Sequence, residues 1–154
     1  MGFNNPGVYE IRPYQAPGLS ANSWVGGLEA GAVVKTYARS SPPTDNALWQ
    51  VALVAGSGSS AEYLIINVHS GYFLTATADG TVTSTPQISP RDASCHWTIT
   101  STPTHGYDVY KVNNKVSSRG PLNVAGSSLD AGADIGVYGN PGDGDNCKWY
   151  FEPK

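Results

Sequence analysis

Few reactive side chains in this chain of 154 residues stand at spacings that could carry catalysis. Its three histidines, His69, His96 and His105, make no His-x-x-x-His pair, and Cys95 and Cys147 make no Cys-x-x-Cys pair. No metal centre and no cofactor are therefore expected. The Gly-x-Ser-x-Gly elbow of serine hydrolases is missing, as are the signatures of thiol enzymes. Asp143-Gly144-Asp145-Asn146 opens like a calcium loop but lacks the closing bidentate Glu, so it reads as an acidic turn. Gly56-Ser57-Gly58-Ser59-Ser60 lacks the Lys-Ser/Thr and the helix of a phosphate cradle, and reads as a loop. What does recur is an aromatic ring between two carboxamides: Asn22, Tyr37 and Asn46, then Asn123, Tyr138 and Asn146. A phenol offers a large, rigid apolar face, and one carboxamide both donates and accepts hydrogen bonds. Such a set can hold a polar ligand without altering it.

The elements that must position this set follow from composition and repetition. Gly and Pro together number 29, charged residues are 14% and Met occurs once, which excludes a helical bundle or coiled coil. Hydrophobic residues at 40% and aromatics at 10% are enough for a packed core. The formal net charge of −3, without any Lys/Arg cluster, argues against nucleic acid as a partner. No apolar run approaches the ~20 residues of a membrane helix, so no membrane insertion is expected. No signal peptide is visible at Met1–Gly7, which points to synthesis in the cytosol.

Three tryptophans, Trp49, Trp97 and Trp149, are spaced by 48 and 52 residues, and each opens an apolar run. Tyr9-Glu10-Ile11, Tyr63-Leu64-Ile65 and Tyr107-Asp108-Val109 read as a second repeated signal. Residues 22–32 align with 123–133 at an offset of 101, and the match continues to Tyr37 and Tyr138. The chain therefore reads as one domain, residues 1–154, of three repeats near 1–57, 58–102 and 103–154. Each repeat offers four short strands rich in Val, Ile, Thr and aromatics, broken by Gly, Pro, Asn and Asp. The third set is expected near 107–112, 122–124, 134–138 and 149–151. The fold class is all-β: twelve strands with pseudo-threefold symmetry and the three tryptophans as equivalent core posts. Cys95 and Cys147 each stand two residues before such a Trp, at positions far apart in a threefold scaffold, and are expected as thiols.

Three thirds that each end on a polar-x-x-Trp unit resemble the ricin-B-like β-trefoil lectins. The usual Gln-x-Trp box is degenerate here: Ala47-Leu48-Trp49, Cys95-His96-Trp97 and Cys147-Lys148-Trp149. The resemblance implies a β-trefoil agglutinin that binds galactose and N-acetylgalactosamine on glycoproteins or glycolipids. It also implies a homodimer without catalytic activity. In that family the stacking aromatic stands about nine residues before a sugar-binding Asn, which Tyr37 and Asn46 match. The family's Asp falls on Asn22, a departure that removes a charge and weakens the expected hydrogen bonds. A galactoside presents a contiguous C–H face to an aromatic platform, and its hydroxyls need fixed donors and acceptors. The first repeat is expected to supply Asn22, Trp24, Gly26, Tyr37, Arg39 and Asn46, with Trp24, Gly26 and Arg39 as rim. The third repeats the set as Asn123, Gly126, Tyr138, Asn140 and Asn146, a possible second site. The middle repeat, aligned on Gly80, puts Pro86 at the platform position and Ser94 at the Asn position, so it should not bind.

Two alternatives remain open from the residues. A trefoil protease inhibitor would present an exposed loop, for which Ser40–Asp45 or Asn140-Pro141-Gly142 could serve. A storage protein would share the core without needing the Asn/Tyr/Asn set. The recurrence of that set at equivalent positions argues against both.

Overall fold

The computed structural model describes residues 2–86, 89, 91–139 and 143–154, the Val25 side chain excepted. It contains twelve strands. In chain order they are β1 (Gly7–Pro13), β2 (Leu19–Ser23), β3 (Ala32–Ala38), β4 (Leu48–Ala55), β5 (Glu62–Asn67) and β6 (Phe73–Ala76). The second half holds β7 (Val82–Thr85), β8 (Trp97–Ser101), β9 (Tyr110–Asn114), β10 (Leu122–Val124), β11 (Ile135–Val137) and β12 (Trp149–Pro153). Six of them close a barrel, each antiparallel to the next, in the order β1, β4, β5, β8, β9, β12 and back to β1. Closure leaves no barrel edge unpaired. The other six form three hairpins, β2–β3, β6–β7 and β10–β11. They join one another through β3–β7 and the isolated bridges Lys35–Asp134 and Thr81–Gly136. This is a β-trefoil: a six-stranded barrel capped by a triplet of hairpins.

The tryptophans tie barrel to cap. Each stands at or near the start of a barrel strand and is at most 1% exposed. Trp49 Nε1 donates to the Ala21 carbonyl at 2.9 Å, Trp97 to Leu74 at 2.9 Å and Trp149 to Leu122 at 3.0 Å. Each indole thus fills the core and satisfies a buried carbonyl of the hairpin above it. The hairpins turn on Gly31, Gly80 and Gly132, whose φ values of 82°, 90° and 88° lie in the left-handed region.

The tyrosine repeat falls three residues later than the sequence pattern suggests. Tyr9 faces Trp49 and Tyr63 faces Trp97, but the residue facing Trp149 is Tyr110, not Tyr107. Both Tyr107-Asp108-Val109 and Tyr110-Lys111-Val112 read as aromatic-x-branched, so the local pattern could not choose between them. Tertiary pairing does: Asn114 faces Trp97 as Asn67 faces Trp49, which places β9 at 110–114. Tyr9, Tyr63 and Tyr110 surround Phe3 from the N-terminal segment, at centroid distances of 5.4, 5.1 and 6.2 Å.

Among the described residues one charged side chain, Glu10, is fully buried. The Glu10 carboxylate receives a bidentate fork from Arg39, 2.8 and 2.7 Å, and Lys154 lies 3.2 Å away. Burial alone would raise the Glu10 pKa, but the Arg39 and Lys154 hydrogen bonds and charges outweigh it and hold it below the ordinary value. A carboxyl whose pKa falls on folding stabilises the fold above its unfolded value of about 4.3. That contribution disappears as pH drops through the folded value.

Two outcomes follow for stability. Trp97→Ala should cost ~3–5 kcal/mol, read from urea unfolding by circular dichroism, because it empties the core and orphans the Leu74 carbonyl. Glu10→Gln should lower Tm at pH 7, and the gap to the parent should narrow below about pH 4, where the parent loses the same charge. A gap independent of pH would show that the ion pair is not its source.

Candidate functional site

The first hairpin and the loop after it enclose a hollow of about 450 Å³ lined by Asn22, Trp24, Tyr37, Thr44 and Asn46. Four of the six residues expected in the first repeat therefore meet at one place. The backbone explains why. Ala21 and Ser23 of β2 turn their carbonyls to Trp49 and to Asn46 Nδ2, at 2.9 and 3.2 Å. Asn22 lies between them; it is buried, and its Nδ2 donates to the Ser20 carbonyl and hydroxyl at 3.2 and 3.0 Å. Its amide hydrogens are thus committed to the strand, and its Oδ1 is the end left for a ligand. Thr44 Oγ1 donates to Asn46 Oδ1 at 2.6 Å, so both ends of that carboxamide are also fixed. Thr44 escaped the sequence reading because it belongs to the loop weighed as an inhibitor segment. Its place two residues before Asn46 was the available signal.

Tyr37, on β3 opposite Ser20, is 54% exposed and presents its ring to the hollow. Trp24 packs against it edge-to-face, centroids 5.8 Å apart and planes at 72°, and the Lys35 ammonium sits 5.3 Å from the Trp24 ring centre. Gly26 and Arg39 do not line the hollow. Gly26 (φ 62°) lies beside the His69 ring, and Arg39 is engaged with Glu10 and Glu152. The sequence placed Arg39 on the rim because it lies two residues past Tyr37. Its long side chain instead turns to the buried carboxylate.

The third repeat rebuilds the same bonds. Asn123 Nδ2 donates to Pro121 O at 3.3 Å and Asn146 Nδ2 to Val124 O at 3.2 Å, the counterparts of Asn22 and Asn46. Asn123, Gly126, Tyr138 and Asn146 line a hollow of about 530 Å³, joined by Ser127 and Asp134. Asn140 lies outside the described residues. Asp134, which the repeat pattern could not flag because Val33 is its counterpart, adds a carboxylate that the first hollow lacks. It pairs with Lys35 at 3.1 Å. Tyr138 is 62% exposed, and Gly120 makes room for its backbone: a Cβ there would meet the Tyr138 carbonyl at 2.0 Å. Ala125 occupies the place of Trp24.

The middle repeat keeps the frame and loses the furnishings. Thr75 Oγ1 bonds Phe73 O at 2.9 Å where the asparagines do so elsewhere. The Ala76 carbonyl, counterpart of Ser23 and Val124, receives Arg119 Nη1 at 2.5 Å. The Ser94 hydroxyl turns to Asp92. Pairing also corrects the platform position: Thr85, not Pro86, faces Phe73 as Tyr37 faces Ser20. The arm after the turn glycine is one residue shorter here, from Gly80 to Thr85 against Gly31 to Tyr37, so alignment on Gly80 slipped by one. Neither residue is aromatic.

The remaining reactive groups are occupied structurally. His96 Nδ1 lies 3.0 Å from Glu62 and His105 Nδ1 lies 3.1 Å from the Tyr14 hydroxyl. Cys95 and Cys147 are buried, and their thiols contact the Asp92 and Gly144 carbonyls. Burial, with the Asp92 charge, pushes the Cys95 thiol up to about 11, where it is a poor nucleophile.

Comparison with known proteins agrees with this architecture. The family described as ricin-type beta-trefoil lectin domain-like matches residues 45–138. The agglutinin of Sclerotinia sclerotiorum is 60% identical over 154 residues, covering 100% of both chains. The Rhizoctonia solani agglutinin crystal structure superposes with a TM-score of 0.77 at 17% identity, covering 99% of this chain and 98% of that one. The earthworm R-type lectin C-half, solved in complex with GalNAc, gives a TM-score of 0.70 at 16% identity over 97% of this chain and 100% of that one. With the threefold frame, the tryptophan posts and a full-length relative in agreement, the chain belongs to the ricin-type β-trefoil lectin family.

Proposed function

We propose that the chain is a non-catalytic, metal-independent lectin for glycans ending in galactose or N-acetylgalactosamine. The observation that carries this reading is the meeting of Asn22, Tyr37 and Asn46 in one hollow, with the same bonds rebuilt around Asn123, Tyr138 and Asn146. The exposed phenol supplies a flat apolar surface for the C–H face of a galactoside. The pinned carboxamides supply hydrogen-bond partners whose orientation is set before the sugar arrives, which lowers the ordering cost of binding. The GalNAc complex of the earthworm lectin supports the same sugar class. Among the described residues of the two hollows none stands as a nucleophile bonded to a base, in keeping with a ligand that leaves unchanged.

A small polar site of this kind gives roughly millimolar affinity for a monosaccharide, about −4 kcal/mol. Avidity at a cell surface then comes from several sites: two per chain, multiplied in a homodimer. The third-repeat site is the second of these, with the Asp134 carboxylate beside its carboxamides.

Calorimetric titration with N-acetylgalactosamine tests the assignment. The parent should bind two sugars per chain. Tyr37→Ala and Tyr138→Ala should each remove one site, and the double variant should not bind, all with Tm near the parent because both rings are exposed. Full binding by the double variant would refute the assignment. Inhibition of papain or trypsin by a protein indifferent to sugar would favour the inhibitor reading.

A further inference from the structure

Trp24 is not required by the repeat. Its counterparts are Thr77 and Ala125, and both of those hairpins form without an indole. It is nevertheless held in place. Tyr37 meets it edge-to-face, Lys35 stands over its ring, and Lys35 is itself tethered to Asp134. Trp24 is also the residue shared by two hollows. One is the 450 Å³ hollow with Tyr37. The other, about 640 Å³, is lined by Trp24 and the loop from Gly27 to Val33.

This second hollow has the character of a sugar-chain subsite. Leu28, 60% exposed, Ala30 and Val33 give it apolar walls of the kind that C–H faces of pyranose rings cover. Glu29 is its one charged group, a hydrogen-bond acceptor for hydroxyls. The loop is anchored in place: Tyr72 Oη donates to Leu28 O at 2.7 Å, and Gly31 N donates to Ser84 O at 3.0 Å. An exposed Leu on a tethered loop, next to an indole absent from the other repeats, has no role in the core.

We infer that the hollow between Trp24 and the Gly27–Val33 loop receives the sugar next to the terminal one, and that it favours a neutral sugar there. This rests on the lectin reading above. The terminal galactose fills the hollow at Tyr37, so the rest of the glycan leaves past Trp24 and lies on Leu28, Ala30 and Val33. The Glu29 carboxylate repels a sulfate or carboxylate on that second unit. The third repeat keeps the loop as Leu129, Asp130 and Ala131, with Leu129 63% exposed, but Ala125 stands in place of the indole, so the ring that links loop and terminal hollow in the first repeat is missing there and that site reads the terminal sugar alone.

The test uses the full chain carrying Tyr138→Ala, which leaves the first-repeat site to be read by itself. Methyl β-galactoside is compared by calorimetry with galactose β-linked 1,3, 1,4 and 1,6 to N-acetylglucosamine. At least one disaccharide should bind about fivefold or more tighter than methyl galactoside. Leu28→Ser, and Ala30→Trp as a plug, should erase that gain while leaving methyl galactoside unchanged, since neither residue lines the first hollow. Sulfation of the second sugar should weaken binding in the parent and less so in Glu29→Gln. The inference fails if no disaccharide gains over methyl galactoside, or if the gain survives both loop variants. A penalty for sulfate that Glu29→Gln does not relieve overturns the charge selection. If methyl galactoside does not bind at all, the lectin reading itself falls, which is a different result from binding without gain.

Discussion

The structure depends on one interaction made three times: a buried indole N–H given to a hairpin carbonyl. Trp49, Trp97 and Trp149 cannot leave their barrel positions without exposing a large aromatic surface and stranding a buried carbonyl. Each bond therefore fixes the register between a barrel strand and the hairpin over it. The two hollows at Tyr37 and Tyr138 are built directly on that register. On β2 the carbonyl taken by Trp49 and the carbonyl taken by Asn46 are two residues apart, and Asn22 is the residue between. The core bond and the site bond are thus neighbours on the same short strand. This gives the proposed sugar site a rigid frame without a large cavity.

The same frame allows three outcomes. In the first repeat the carbonyl two residues past the tryptophan bond is capped by Asn46, and Tyr37 stands beside it with an added indole. In the third, Asn146 and Tyr138 do the same, with Ala125 in place of the indole and Asp134 added to the hollow. In the middle, Arg119 caps the carbonyl and the aromatic is missing. The carbonyl must be satisfied in every repeat, because a buried polar group without a partner is costly. What satisfies it is open to change, and that choice separates the two proposed sugar sites from the middle sector.

Much of this was legible from the residues alone. The tryptophan period and the 101-residue offset gave the threefold all-β plan, because a core post that must recur leaves a mark at every repeat. The Asn/Tyr/Asn recurrence led to the residues that line both hollows for the same reason. What escaped has a physical cause in each case. Tyr107 was chosen over Tyr110 because two overlapping aromatic-x-branched triplets differ only in long-range pairing. Thr85 was missed because the arm after Gly80 is one residue shorter than the arm after Gly31. Arg39 was placed at the site because sequence distance says nothing about where a long guanidinium turns, and Glu10, buried on a neighbouring strand, claims it. Thr44 and Asp134 have no equivalent in the other repeats, so no recurrence pointed to them.

The family supports the carbohydrate-binding character of the chain, and the two hollows are where we propose that it acts. The most direct check is a crystal of the chain soaked with N-acetylgalactosamine. The account predicts sugar density against the Tyr37 ring within reach of Asn22 and Asn46, a second copy against Tyr138, and none beside Thr85 and Arg119. Sugar bound in the middle repeat, or away from both phenols, would contradict it.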